Sequence, residues 1–257
     1  MKIDRRRATT AFAAYVRPYN SRDPKVRLKI EHTYRVAALC ERIARSLALP
    51  PDETDLAWLS GLLHDVGRFE QLRRYGTFND ALSIDHAACS VSVLFDEGRI
   101  RAYLPDDAED ALLRRAVALH NVYRLPDGLD PRTLRLCRIL RDADKVDILK
   151  VNVEVPMEDI YNVTTAELRG AAFTPAVLEN FYRNTAILRP LKRTAADNVA
   201  GLISLVYELV YPESLRAVQE QGYLARLLQF ASDNPQTAAQ MAALRAHMEA
   251  WMAGRLA

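Results

Sequence analysis

The chain has 257 residues, of which 49% are hydrophobic and 26% are charged, a composition typical of a globular protein with a substantial core. Its 35 basic and 33 acidic residues leave a formal net charge of +2, which argues against a general nucleic-acid binder. The sequence shows neither the pattern of a secretion signal nor a run of roughly 18 uncharged apolar residues that could span a membrane. Three scattered cysteines, Cys40, Cys89 and Cys137, suggest buried free thiols in a reducing compartment, so we expect a cytoplasmic protein.

Apolar residues recur at helical spacing along most of the chain, and no segment shows the alternation expected of a strand. Helices are predicted at 4–18, 25–48, 53–66, 81–97, 107–122, 131–152, 174–188, 194–211, 213–231 and 235–254. Irregular connections are predicted at 68–80, 123–131 and 153–165. The pattern predicts an all-α protein, with a helical core over residues 1–155 and a C-terminal helical extension over residues 156–257 packed on that core.

Titratable residues interrupt the apolar faces of these predicted helices. His32 shares a face with Leu28 and Val36, and Asp144 lies in line with Leu140. The adjacent pair His64-Asp65 comes at the end of a predicted helix, behind two leucines. The residues expected to point inward are His32, His64, Asp65, His86, His120 and Asp144.

Taken singly, each of these residues has an ordinary explanation. A lone inward histidine is usually a hydrogen-bonded core residue, and Asp144 could pair with Arg141 or Lys145. Taken together, four imidazoles and two carboxylates are too costly to bury unless something neutralises them. Imidazole and carboxylate are ligands of iron, manganese and zinc, so the sequence favours a metal site over an all-protein polar network. Six inward ligands suit two metal ions with coordination positions left open.

The order of these residues on successive helices resembles the HD-domain metal-dependent phosphohydrolase superfamily, in its six-ligand subgroup. The local motifs "EHTYRV", "GLLHDVGR" and "RDADKVD" also look like the pattern of that family. The resemblance implies an all-α HD-domain helical bundle, with additional C-terminal helices, whose metal centre lies between helices. After His120, the chain lacks the paired histidines and the Gly-Tyr-Pro signature of the branch that hydrolyses cyclic-di-GMP, which disfavours that substrate.

By position, the resemblance implies that His32, His64, Asp65 and Asp144 bind one metal. Asp65 would bridge to a second metal, held further by His86 and His120. The two divalent ions would be iron or manganese ahead of zinc, cobalt, nickel or magnesium. Gly67 would let the chain turn away after the doublet.

The expected activity is hydrolysis of a small phosphorylated molecule, a nucleotide or a phosphate ester, by metal-activated water. Asp65, Arg68 and Lys145 are the catalytic candidates. Arg68 could instead form a surface ion pair with Glu70, and Lys145 could be an ordinary solvated lysine. The candidate substrate-binding residues are Arg35, Arg68, Tyr75, Lys145 and Arg193.

Two other functions stay open at this stage. The same six-ligand order occurs in HD-type di-iron oxygenases, and a metal-stabilised helical protein could bind a nucleotide without turning it over. In all three cases we expect a small-molecule partner, no membrane, no general nucleic-acid binding, and compatibility with a homo-oligomer.

Overall fold

The computed structural model describes residues 3–257, which form helices and no strand, so the predicted all-α fold is confirmed. The chain divides into two compact units, Met1–Asp144 and Lys145–Ala257. One long helix spans the division, and the expected domain boundary after residue 155 stays a prediction. None of the described helices has both the length and the apolar character needed to cross a membrane.

The first unit is built from helices that largely follow the predicted apolar segments. They are α1 (Arg5–Val16), α2 (Pro24–Ser46), α3 (Pro51–Leu63), α4 (Val66–Tyr75), α5 (His86–Val91), α6 (Ile100–Tyr103), α7 (Asp110–Ala118) and α8 (Pro131–Glu154), which continues into the second unit. A short 3₁₀ turn at Asp80–Leu82 precedes α5, and a π-helical turn at Ser92–Asp96 follows it.

Three of the sequence predictions for this unit are wrong in detail. The connection predicted at 68–80 is helical over its first half, because α4 extends to Tyr75. The helix predicted at 81–97 is interrupted before His86, where the Asp85 side chain accepts hydrogen bonds from two backbone N–H groups and caps α5. The helix predicted at 107–122 ends at Ala118, so His120 lies just beyond it.

The core of this unit depends on a close approach between α2 and α3. A Cβ atom added to Gly61 would lie 2.7 Å from the Cα atom of Ala37, which is closer than real Cβ contacts. The neighbouring side chains of Cys40 and Leu62 are fully buried. Glycine facing alanine therefore lets the two backbones pack tightly, and this fixes the residues at the end of α3 against the middle of α2.

The second unit, apart from the continuation of α8, consists of shorter helices. They are α9 (Met157–Tyr161), α10 (Thr165–Gly170), α11 (Pro175–Tyr182), α12 (Ala196–Ile203), α13 (Pro212–Gln221), α14 (Tyr223–Leu227) and α15 (Pro235–Leu256). Helices α9 and α10 begin within the segment predicted to be irregular at 153–165. Gly222, at φ +71°, separates α13 from α14 where a single helix was predicted.

A buried aspartate organises the start of α12. Asp197 is fully buried, and its carboxylate accepts hydrogen bonds from the backbone N–H groups of Thr174, Arg193 and Thr194 and from the Thr174 hydroxyl, at 2.6–2.9 Å. Burial opposes its ionisation, but these donors lower the pKa of Asp197 below its ordinary value. The carboxylate thereby ties the segment before α11 to the segment before α12.

Replacing Asp197 by asparagine should destabilise the protein by about 2–4 kcal/mol, because an amide NH₂ would face N–H donors in place of one carboxylate oxygen. Since the folded pKa is lowered, this stabilisation is present above the ordinary aspartate pKa of about 3.9 and is lost as the pH falls through the folded pKa. Urea unfolding of D197N and the parent protein between pH 3 and pH 7 measures both effects. The exposed Asp233, which pairs with Arg169, is the control, and D233N should cost less than about 1 kcal/mol. Equal effects of the two substitutions would contradict this account.

Candidate metal centre

The centre is built around the turn between α3 and α4. His64 follows the last residue of α3, and Asp65 precedes the first residue of α4 with a non-helical backbone, φ −109° and ψ 17°. The chain therefore turns at the doublet itself, and the expected turn at Gly67 is wrong, since Gly67 lies inside α4. A Cβ atom on Gly67 would lie 2.4 Å from the Ser90 backbone nitrogen and 2.6 Å from the His86 carbonyl oxygen. Gly67 thus allows α4 to touch α5, which begins with His86.

Three of the predicted donors meet on one side of Asp65. The Nε2 atom of His32 lies 3.2 Å from the Asp144 Oδ1 atom and 3.3 Å from the Nε2 atom of His64. His64 Nε2 is in turn 3.7 Å from the same Asp144 oxygen. Both histidines are buried, and the side chain of Asp144 is 15% exposed. Helices α2 and α8 and the end of α3 thus bring these donors together.

The other two histidines meet near the second oxygen of Asp65. The Nε2 atoms of His86 and His120 are 3.0 Å apart, and both rings are buried. His86 is the first residue of α5, and His120 follows the end of α7.

Asp65 faces both groups, with a different oxygen towards each. Its Oδ2 atom is 3.6 Å from Nε2 of His32 and 3.6 Å from Nε2 of His64. Its Oδ1 atom is 3.7 Å from Nε2 of His86 and 3.8 Å from Nε2 of His120. The structure therefore brings together all six predicted donor residues, with one carboxylate between two histidine pairs.

The hydrogen bonds made by the Nδ1 atoms determine which ring nitrogens can bind a metal ion. His64 Nδ1 is 2.7 Å from the carbonyl oxygen of Gly61, and His120 Nδ1 is 2.7 Å from that of Val117. Because a carbonyl only accepts, both Nδ1 atoms carry the hydrogen and both neutral rings present an Nε2 lone pair to the centre. His86 donates from Nδ1 to Asp80 Oδ2 at 2.6 Å, which is the histidine–carboxylate arrangement common behind metal ligands.

Burial and neighbouring charges keep the donors in the protonation states that metals require. Burial lowers the pKa of His64, and burial with His86 and His64 nearby lowers the pKa of His120 to about 3. Burial opposes ionisation of Asp65, but Lys29 foremost holds the pKa of its carboxyl well below the ordinary range. The pKa of Asp144 is also lowered against the effect of burial, through His32 and His64. Near neutral pH, His64 and His120 are therefore uncharged and both carboxylates are ionised.

This donor set fits divalent metal ions. The Nε2 atoms of His86 and His120 are 3.0 Å apart, a spacing at which both could bind one cation. Ligands that share one ion at about 2.1 Å are separated by about 3.0–3.4 Å, close to the donor spacings observed here. The sets whose donor atoms all lie within 4.8 Å of one another are His32–His64–Asp144, His64–Asp65–His120 and Asp80–Asp85–His86. The first two belong to this centre.

Sequence reasoning missed the residues that surround the donors. Lys29 places its Nζ atom 2.7 Å from Asp65 Oδ2 and 5.5 Å from the centre of the Phe78 ring. Its position three residues before His32, on the same helix face, was the available signal. Asp80, which holds His86, has a pKa lowered to about 2 against the effect of burial, through its hydrogen bond to His86 and the charge of Arg68. No spacing in the sequence indicates that contact.

Arg68 lies beside the centre, and its catalytic and substrate-binding roles stay predictions. Its guanidinium donates to Asp80 Oδ1 at 2.8 Å and to the Phe78 carbonyl at 2.7 Å, and its Nε atom is 3.6 Å from Asp65 Oδ1. The alternative pairing with Glu70 is wrong, because Glu70 pairs with Arg73 and Arg74. Arg68 therefore supports the Asp80–His86 pair and faces the central carboxylate.

The other four predicted substrate-binding residues have the following neighbours and positions. Arg35 lies 3.8 Å from Glu31 on its own helix, and Tyr75 is exposed at the end of α4. Lys145 pairs with Glu208 at 3.1 Å, and Arg193 is exposed in the second unit. Substrate roles for these four residues stay predictions.

Comparison with known proteins identifies the segment that carries the centre. The model of one family, described as HD domain, matches residues 30–149, a range that includes all six donor residues. The chain has no significant match among curated proteins or among solved structures.

Replacing Gly67 by alanine should destabilise the protein by about 1–3 kcal/mol, because the added methyl group forces α4 away from α5. The matched control is G254A, since Gly254 lies in α15 with nothing within 4 Å of an added Cβ atom. That substitution should leave stability unchanged or raise it by up to about 1 kcal/mol. Urea unfolding measures both variants, and a G67A protein as stable as the parent would contradict the close approach described here.

Proposed function

We propose that this chain, whose residues 30–149 match the HD domain family, is a metal-dependent phosphohydrolase acting on a small phosphorylated molecule. The main observation behind the proposal is that each carboxylate oxygen of Asp65 faces a different pair of histidines. This arrangement supports a dinuclear centre. His32, His64, Asp65 and Asp144 would hold one divalent ion, and Asp65, His86 and His120 would hold the second.

Charge at the centre favours an anionic substrate. The six donor residues include two carboxylates, whereas two divalent ions would carry twice that charge, so the loaded centre has a positive excess. Lys29 and Arg68 add positive charge beside Asp65. A phosphate ester or a nucleotide satisfies that excess, and positions not filled by protein donors are left for water and for phosphoryl oxygens.

Each side chain at the centre has a definite task in this proposal. Divalent metal bound there would supply Lewis acidity and would lower the pKa of a water molecule towards neutrality. Asp65 stays ionised, so it can bridge, and Asp80 keeps the hydrogen of His86 on Nδ1 so that Nε2 can bind. Lys29 can pair with a substrate oxygen once its present partner Asp65 binds metal. Arg68 aims an Nε–H group, which forms no hydrogen bond within the described residues, towards the same carboxylate.

The activity test separates hydrolysis from the two functions left open by the sequence. The protein, purified without oxygen and supplied with manganese or iron, is assayed for phosphate release from p-nitrophenyl phosphate and from a panel of nucleotides. Metal-dependent release that chelation abolishes supports the proposal. Oxygen uptake with iron and no phosphate release would favour an oxygenase, and nucleotide binding without turnover would favour a regulator.

Replacing Asp65 by asparagine should abolish both metal binding at the shared position and phosphate release, because the bridging charge is lost while the shape is kept. The control is D96N, since Asp96 is an exposed residue that pairs with Arg114. Metal content and phosphate release of the D96N protein should match those of the parent. A D65N protein with parental phosphate release would rule out the mechanism.

A further inference from the structure

Helix α7 ends just before His120, without the left-handed residue that often closes a helix. Its C-cap residue, Leu119, has φ −104° and ψ 4°, and no glycine in the left-handed conformation closes the helix. The carbonyl groups at the end of a helix lack partners within the helix and need other donors when they are buried. At and just beyond this end of α7, one side chain from another helix donates to the carbonyls of the C-cap residue and of three residues that follow it.

That side chain is Arg141 of α8, which is only 8% exposed. Its NH1 atom lies 3.3 Å from the carbonyl oxygen of Leu119 and 3.3 Å from that of His120. NH1 also donates to the Val122 carbonyl, and NH2 donates to the Tyr123 carbonyl at 3.2 Å. Gathering several carbonyls in different directions requires the planar fork of an arginine, which the point charge of a lysine does not reproduce.

These contacts hold the backbone of His120, the last of the four histidines at the centre. Arg141 holds the backbone carbonyl of His120, while the ring donates from Nδ1 to Val117. Anchored at both its backbone and its ring, His120 directs Nε2 to within 3.0 Å of His86 Nε2. Arg141 also stands one helical turn before Asp144, so a single stretch of α8 supplies a donor to one histidine pair and an anchor to the other.

We infer that Arg141 is a positioning residue for His120, and through it for the cation position that His86 and His120 share. It acts on the backbone beside the centre and not on a substrate. The part of this inference that concerns metal rests on the proposed function, whereas the orientation of the His120 ring can be tested on the metal-free protein.

The first experiment reads the ring directly, by ¹⁵N NMR of the assigned histidine side chains in the metal-free protein. In the parent, His120 should show the Nδ1–H tautomer, as its bond to Val117 requires. In R141M, the nitrogen shifts of His120 should move towards those of an exchanging tautomer mixture, while those of His32 and His64 stay in place. R138M is the matched control, since Arg138 is exposed one turn earlier on α8, and it should leave all of these signals unchanged.

The second experiment titrates manganese into the same proteins and counts the ions bound. The parent and R138M should bind two ions per chain. R141M should keep the first ion and bind the second about 10–100-fold more weakly, the loss typical when a residue behind a metal ligand is changed. A structural role alone would weaken both ions together or neither.

Unchanged His120 signals in a folded R141M protein would overturn the inference, and so would an equal loss of affinity for both ions. If R141M does not fold, R141K takes its place, because lysine keeps the charge but lacks the fork. Parental His120 signals in R141K would then overturn the inference, and altered ones would support it. A parent protein that binds fewer than two ions would refute the dinuclear centre, while the NMR result would still decide the role of Arg141.

Discussion

A buried negative charge sets the main constraint on this structure. The side chain of Asp65 is only 3% exposed, yet the pKa of its carboxyl is held well below the ordinary range. An ionised carboxylate so far from water must be surrounded by positive charge or by groups that bind positive charge. Lys29 supplies one such contact, and the histidine rings nearby are groups that could hold a metal ion. The helices around Asp65 place Lys29 and the four histidines within 4 Å of its carboxylate.

Backbone packing and buried polar contacts meet this requirement together. Gly61 and Gly67 stand on either side of the doublet and let α3 approach α2 and α4 approach α5. Each approach brings one histidine-bearing helix towards Asp65. The rings are then held from behind, His86 by the Asp80 carboxylate and His120 by the carbonyl of Val117. Centres held in this way need little rearrangement to bind an ion, because the ligand atoms already converge.

The sequence predicts the helical fold and the convergence of the six donor residues, because a titratable residue on an apolar helix face leaves a periodic signal. It does not predict how those residues are held. Arg141 contacts backbone carbonyls, and a sequence pattern gives no information about contacts of that kind. Asp80 contacts His86 because a 3₁₀ turn begins at Asp80, whereas the sequence predicted a continuous helix over 81–97. Helix α4 was missed for a related reason, since its buried face is short and includes the polar residue Gln71. Tertiary packing, rather than local periodicity, determines these features.

The central claim is that Asp65 lies between two cation positions. Crystals grown with manganese, measured above and below the manganese absorption edge, test it directly through the anomalous difference map. The account predicts two peaks, one among His32, His64 and Asp144 and one beside His86 and His120, each within bonding distance of a different oxygen of Asp65. A map with no peak at Asp65, or with a single peak that contacts only one histidine pair at full manganese occupancy, would contradict it.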